Sequence, residues 1–209
     1  MILTQEDYDT ILFLVRAVYS NMIYPSPFKC VAQISLDEDG LKLNIFDMGS
    51  YDLFVFCGSN SKRDWVANFK VGLGIVPFQY QQALYEVRLR DATNKDKPMV
   101  FCGHSLGGGL AEYCACHPYN NDIFCITFNG CGVKHIVPPI YRSESRILNL
   151  VTEHDLLNGI TERIPHHSYL QHVGKVVVLE DEYKIICADG HRDFKTFKNY
   201  KMQEVIKWK

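Results

Sequence analysis

Residues 103–107 read Gly-His-Ser-Leu-Gly, preceded by the apolar run Met-Val-Phe-Cys (99–102) and followed by a Gly/Ala-rich stretch up to His117. A serine hydroxyl becomes a useful nucleophile when a base removes its proton and the backbone holds its oxygen clear of the chain. A tight turn from a strand into a helix does the second, lifting the side chain above the sheet edge. Glycines on either side of it let strand and helix pass closely. The start of the helix adds unpaired amides and partial positive charge where negative charge would develop. Ser105 is therefore the candidate nucleophile and the amide of Leu106 a candidate oxyanion donor. His104, in the same turn, is a candidate substrate contact.

A serine of this kind needs a base and an acid, supplied by later strand ends in the order nucleophile, acid, base. Asp155 follows the strand-like run Arg-Ile-Leu-Asn-Leu-Val (146–151), where a loop would present it at the sheet edge. Glu153 is its local rival, and Asp189 is placed to cap a later turn. Among His154, His166, His167, His172 and His191, the last is favoured as base. It follows the strand-like run 182–188 in an Ala-Asp-Gly-His turn and precedes a closing helical stretch. A second oxyanion donor should come from an earlier strand end. The run Asp-Leu-Phe-Val-Phe-Cys (52–57) leads into Gly58 and Ser59, whose amide and hydroxyl both suit that role.

The elements that must position these residues alternate. Thr4 and Asp7 mark a helix start, and Ile11, Leu12, Val15 and Val18 recur at helical spacing. Runs 31–36 and 41–46, joined by Asp-Glu-Asp-Gly, predict a hairpin. A helix near 78–91 precedes the strand 99–102, the helix 105–117 precedes the strand 122–128, and strand-like runs 146–151, 172–180 and 182–188 lead to a closing helix over 193–206. Strand-helix alternation implies an α/β protein, with a mainly parallel central sheet flanked by helices and some antiparallel edge strands. No repeat or linker divides the 209 residues, so one domain over 1–209 is expected.

Composition narrows the partners. With 22% charged residues and a net charge of −2, the chain has no basic field for nucleic acid. Glu6, Asp7, Asp9 and Arg16 interrupt the N-terminal apolar residues, which argues against a signal peptide and for a cytoplasmic protein. Eight cysteines are expected to be reduced, several of them in core strands. Cys114-Ala-Cys116-His117 lacks the spacing of a structural zinc site, so no metal and no cofactor is expected.

Phe56-Cys57-Gly58-Ser59-Asn60-Ser61-Lys62-Arg63-Asp64-Trp65-Val66-Ala67-Asn68-Phe69 resembles the F-R-G-S/T-x-S-x-x-D-W-x-x-N-F strand end of the class 3 lipases, a fungal lipase-like branch of the α/β-hydrolases. Gly103 to Ala111 resembles their G-H-S-L-G-G-x-L-A elbow, and Thr127-Phe128-Asn129-Gly130 echoes a third strand end. Val151 to Asp155, Ile164-Pro165 and Tyr169 to Gly174 resemble the acid segment, with His191 last as the catalytic histidine. The resemblance implies a Ser105–Asp155–His191 triad and assigns His172 to a structural H-x-G. Cys57 stands where the family has arginine, and Leu156-Leu157-Asn158-Gly159 stands where it has D-P-V-P. The short separation of Ser59 and Ser105 implies a reduced lid region.

A lipase or phospholipase acting on acyl glycerol lipids is the leading expectation. Trp65 and the following apolar residues up to Phe78 offer either a rim for lipid and transient membrane-surface contact or ordinary core packing. A short-chain ester or thioester hydrolase is one alternative, and a non-catalytic lipase-like binding or scaffold protein is another. Nothing in the sequence sets an oligomeric state.

Overall fold

The computed structural model describes residues 3–19, 24, 28–36, 40–58, 75–94, 97–142, 146–155, 157, 171–183, 192 and 194–201. Helix α1 (Gln5–Ala17) begins where expected. The Thr4 hydroxyl accepts the Asp7 amide at 3.1 Å, and the Asp7 carboxylate accepts the Thr4 amide at 2.8 Å. This reciprocal cap satisfies two helix-end donors at once.

Among the described residues seven strands form one sheet in chain order: β1 (Lys29–Leu36), β2 (Leu41–Asp47), β3 (Asp52–Phe56), β4 (Met99–His104), β5 (Ile123–Phe128), β6 (Ile147–Thr152) and β7 (Lys175–Leu179). The predicted hairpin is present as β1–β2. The β1–β2 and β2–β3 pairs are antiparallel, and β3 through β7 run parallel. Every residue of β3, β4, β5 and β6 is buried, as parallel strands covered on both faces should be. Helices α2 (Phe78–Thr93) and α3 (Leu106–Ala115) share one core cluster with Phe54, Phe56 and Phe101. Helix α1 and the short α4 (Phe194–Asn199) supply Tyr8, Ile11, Val15 and Phe197 to a second cluster with Val55, Val100 and Phe128. The two faces of one sheet thus carry two cores.

Boundaries differ in instructive places. Strand β4 reaches His104, beyond the apolar run, because its parallel pairing continues to Phe128 of β5. The following helix starts at Leu106, with Ser105 as the residue before it. Residues 184–190, most of the expected second late strand, lie outside the described residues, as does Cys187. Cys102, Cys114 and Cys125 carry free thiols, and burial pushes those of Cys102 and Cys125 well up. Among the described residues no helix is long and apolar enough to cross a membrane.

The edge where β3 begins is held by charge. Asp52 is fully buried, and its carboxylate meets Arg90 at 2.8 Å, Asn94 at 2.7 Å and Lys97 at 2.8 Å. Burial alone would raise its pKa, but the hydrogen bonds from Lys97, Arg90 and Asn94 outweigh it and hold the carboxyl below the usual value. A carboxyl lowered by folding stabilises the protein above its unfolded pKa, and that contribution is lost as pH falls through the folded value. Thermal denaturation should therefore show stability declining below about pH 4. Asp52→Asn should cost on the order of 3 kcal/mol at neutral pH. It should also flatten the acid limb, whereas an acid limb unchanged in the variant would contradict this assignment.

Candidate active site

Ser105 has φ 59° and ψ −128°, a conformation that L-residues with a Cβ seldom adopt. Three main-chain hydrogen bonds hold it there. The Ser105 amide donates to the Phe128 carbonyl at 3.2 Å, and the Ser105 carbonyl accepts the amides of Gly109 and Cys131, each at 3.2 Å. The close approach around it excludes side chains. A Cβ on Gly103 would strike the backbone of Gly107, and one on Gly107 would strike the Phe56 carbonyl and lie 2.8 Å from the Cys57 carbonyl carbon. The half-buried serine thus sits at the C-terminal edge of the sheet, on a turn its surroundings enforce. Leu106 opens α3, where the first amides have no partner within the helix.

Asp155 lies three residues beyond β6, fully buried, with its amide donating to the Thr152 carbonyl at 3.1 Å. Its approach is fixed from β5. Asn129, at φ 44°, accepts the Thr152 amide on its side-chain oxygen at 2.8 Å and donates its side-chain amide to the Thr152 hydroxyl at 3.0 Å. Burial, then the charge of Asp155, pushes up the thiol of Cys131, whose amide is bonded to Ser105. Asp155 and Ser105 therefore share a neighbour. The rivals are engaged otherwise: Glu153 is exposed, and Asp122 precedes β5 at the opposite sheet edge. Asp181 is buried and accepts the His154 amide at 2.9 Å, with the His154 ring Nδ1 at 2.8 Å.

His172 is occupied as well. Its Nδ1 lies 2.6 Å from Glu112 Oε2, and Glu112 Oε1 accepts the Val173 amide. Glu112 is fully buried on α3, so the helix that carries the elbow also pins the chain entering β7. Thr127 donates to the Asn149 side-chain oxygen at 2.6 Å, and Asn149 donates onward to the Val173 carbonyl at 2.8 Å. The ring of His104 is buried between Tyr19 (centroids 5.9 Å apart) and Phe194 (4.8 Å).

Ser59, Trp65 and His191 lie outside the described residues, as do His166, His167 and Asp189. The structure brings Ser105, Leu106 and Asp155 to one end of the sheet. Sequence reasoning missed Asn129, Glu112 and Tyr19. A carboxylate inside the apolar α3 pattern was the available signal for Glu112, because a buried charge requires a partner. Among the described residues no group of three His, Cys, Asp or Glu could hold a metal ion.

The mainly parallel sheet flanked by helices is the α/β-hydrolase fold as fungal lipases have it. The Rhizomucor miehei triacylglyceride lipase matches with a TM-score of 0.59 and 18% identity, over 87% of this chain and 83% of that one. A triacylglycerol lipase from Penicillium expansum matches with a TM-score of 0.61 and 15% identity, over 83% of this chain and 79% of that one. The phospholipase-like family model described as the Tle-like phospholipase domain matches residues 35–146, just over half of the chain, and the protein belongs to that family. An extracellular phospholipase A1 from Serratia liquefaciens is 34% identical over 95 residues, which is 46% of this chain and 28% of that protein. The chain thus aligns with little more than a quarter of that relative. The expected resemblance to class 3 lipases holds at the level of family and fold.

The strained elbow has a measurable cost. Ser105→Gly should relieve about 1–3 kcal/mol of backbone strain and lose about 0.5–1 kcal/mol to added unfolded-state freedom. A net gain of about 1 kcal/mol over Ser105→Ala is expected in denaturant unfolding. A glycine variant no more stable than the alanine variant would contradict the strain.

Proposed function

We propose that the protein is a serine hydrolase that cleaves carboxylic esters of acyl glycerol lipids, with phospholipids as the foremost class. The observation that carries this reading is the φ of 59° at Ser105, between a buried parallel strand and a glycine-rich helix. Such strain is stored where chemistry needs a side chain raised above its surroundings. The phospholipase family match and the similarity to the Serratia phospholipase A1 favour a lipid ester over other acyl substrates.

In the proposed reaction His191, oriented by Asp155, takes the proton from Ser105 as its oxygen attacks the ester carbonyl. The amides of Ser59 and Leu106 hold the developing oxyanion, and His191 returns the proton to the departing alcohol. Water, deprotonated by the same histidine, then releases the fatty acid and regenerates Ser105. Trp65 and the His104 region border the acyl site, and the substrate reaches it by transient contact with a lipid surface.

Hydrolysis of p-nitrophenyl esters of rising chain length, alongside fatty-acid release from phospholipid vesicles, tests this. Turnover should rise with chain length and with the lipid interface. Ser105→Ala should lower it on the order of a million-fold, and Asp155→Asn by about ten-thousand-fold. Full turnover in folded Ser105→Ala would contradict the reading, and a preference for acetate esters without response to vesicles would contradict the lipid substrate.

A further inference from the structure

The last residues that pair between β3 and β4 are Phe56 and Gly103, after which the two strand ends diverge toward Gly58 and Ser105. A hydroxyl from a third element occupies the gap. Tyr19, just past the end of α1, accepts the Gly58 amide at 2.9 Å and donates to the His104 carbonyl at 3.1 Å. His104 Nδ1 lies 3.3 Å from the same oxygen, and the two rings meet edge to face with an interplanar angle of 76°. A hydroxyl has one donor and two acceptor sites, and these contacts suit it when His104 carries its proton on Nδ1.

Gly58 is built for this insertion. A Cβ there would collide with the Tyr19 hydroxyl and lie 2.6 Å from the His104 carbonyl. Only glycine lets the oxygen sit between the two strand ends, where the next main-chain rung of the ladder would otherwise fall. The arrangement continues on the other side of His104, whose ring packs on Phe194 at the start of α4.

We infer that Tyr19 is a positioning residue, whose hydroxyl bridges Gly58 and His104 and so sets the spacing between the strand end before Ser59 and the elbow that carries Ser105 and Leu106. The inference rests on the proposed ester hydrolysis, in which those two chain segments each supply one oxyanion donor. Donors on separate strand ends stabilise the transition state only when their separation is fixed before the reaction. The bridge acts on the transition state and leaves ground-state binding nearly unchanged.

The test compares Tyr19→Phe with Tyr51→Phe. Tyr51 donates its hydroxyl to Asp7 of α1 at 2.9 Å, near the opposite end of β3, so it removes a similar bond away from the elbow. Tyr19→Phe should lower kcat for a p-nitrophenyl ester by about ten- to a hundred-fold with KM changed less than about threefold. Amide exchange at Gly58 should quicken at least about tenfold. Tyr51→Phe should leave kcat and Gly58 exchange unchanged, even where it lowers Tm as much. Equal kcat in the two variants, or unaltered Gly58 exchange in Tyr19→Phe, overturns the inference. A wild-type protein that hydrolyses no ester overturns the reading of the site, and exchange at Gly58 then still decides the bridge on its own.

Discussion

The start of α3 lies against the ends of β3 and β5 with no side chain between them. Gly107 rides under the Phe56 carbonyl, and Gly108 faces the Cα of Gly130. This contact at backbone distance sets the angle between β4 and α3. That angle forces Ser105 into its positive φ, and the main-chain bonds to Phe128, Gly109 and Cys131 leave it no relaxed alternative. The free energy to hold a strained residue comes from these bonds and from the core around Leu106, Leu110 and Ala111. A larger residue at Gly103 or Gly107 would open the turn, and the serine would lose its position before any catalytic partner was touched.

The same helix also reaches the edge where β7 begins. Glu112, two turns along α3, engages His172 and Val173 and so fixes where β7 enters the sheet. Asn129 joins β5 to the end of β6, and β6 delivers Asp155. His154 and Asp181 fasten the next turn to the chain after β7. Glu112, Asn129 and Thr152 are buried, and each polar group is satisfied by a specific partner, which gives the strand ends a defined arrangement. At the other edge the buried carboxylates serve stability: Asp52 gathers Arg90, Asn94 and Lys97, while Asp91 accepts the amides of Asn120 and Asn121.

What could be read beforehand was local. The elbow depends on glycines at fixed offsets from one serine, the β1–β2 hairpin on an Asp-Glu-Asp-Gly turn, and α1 on a four-residue cap. The place of Asp155 at the end of β6 was legible because an acid directly after an apolar strand has few places to go. The roles of Tyr19, Glu112 and Asn129 were not, because each acts on a partner far away in the chain. Tyr19 ends an amphipathic helix as any surface tyrosine might end one. Asn129 left a local trace, since asparagine before glycine at a strand end favours positive φ. The extent of β4 was underestimated for a similar reason: its pairing with β5, and no residue of its own, carries the strand to His104.

In the proposed reaction Ser105 is the nucleophile of an ester hydrolase, activated by His191 and Asp155. The most direct measurement is peptide mapping by mass spectrometry after exposure of the folded protein to a fluorophosphonate. One equivalent of phosphonate, carried by Ser105, is expected, with loss of that adduct in Asp155→Ala and His191→Ala. A stable adduct on another residue, or an unlabelled Ser105 in a protein that still hydrolyses esters, would contradict it.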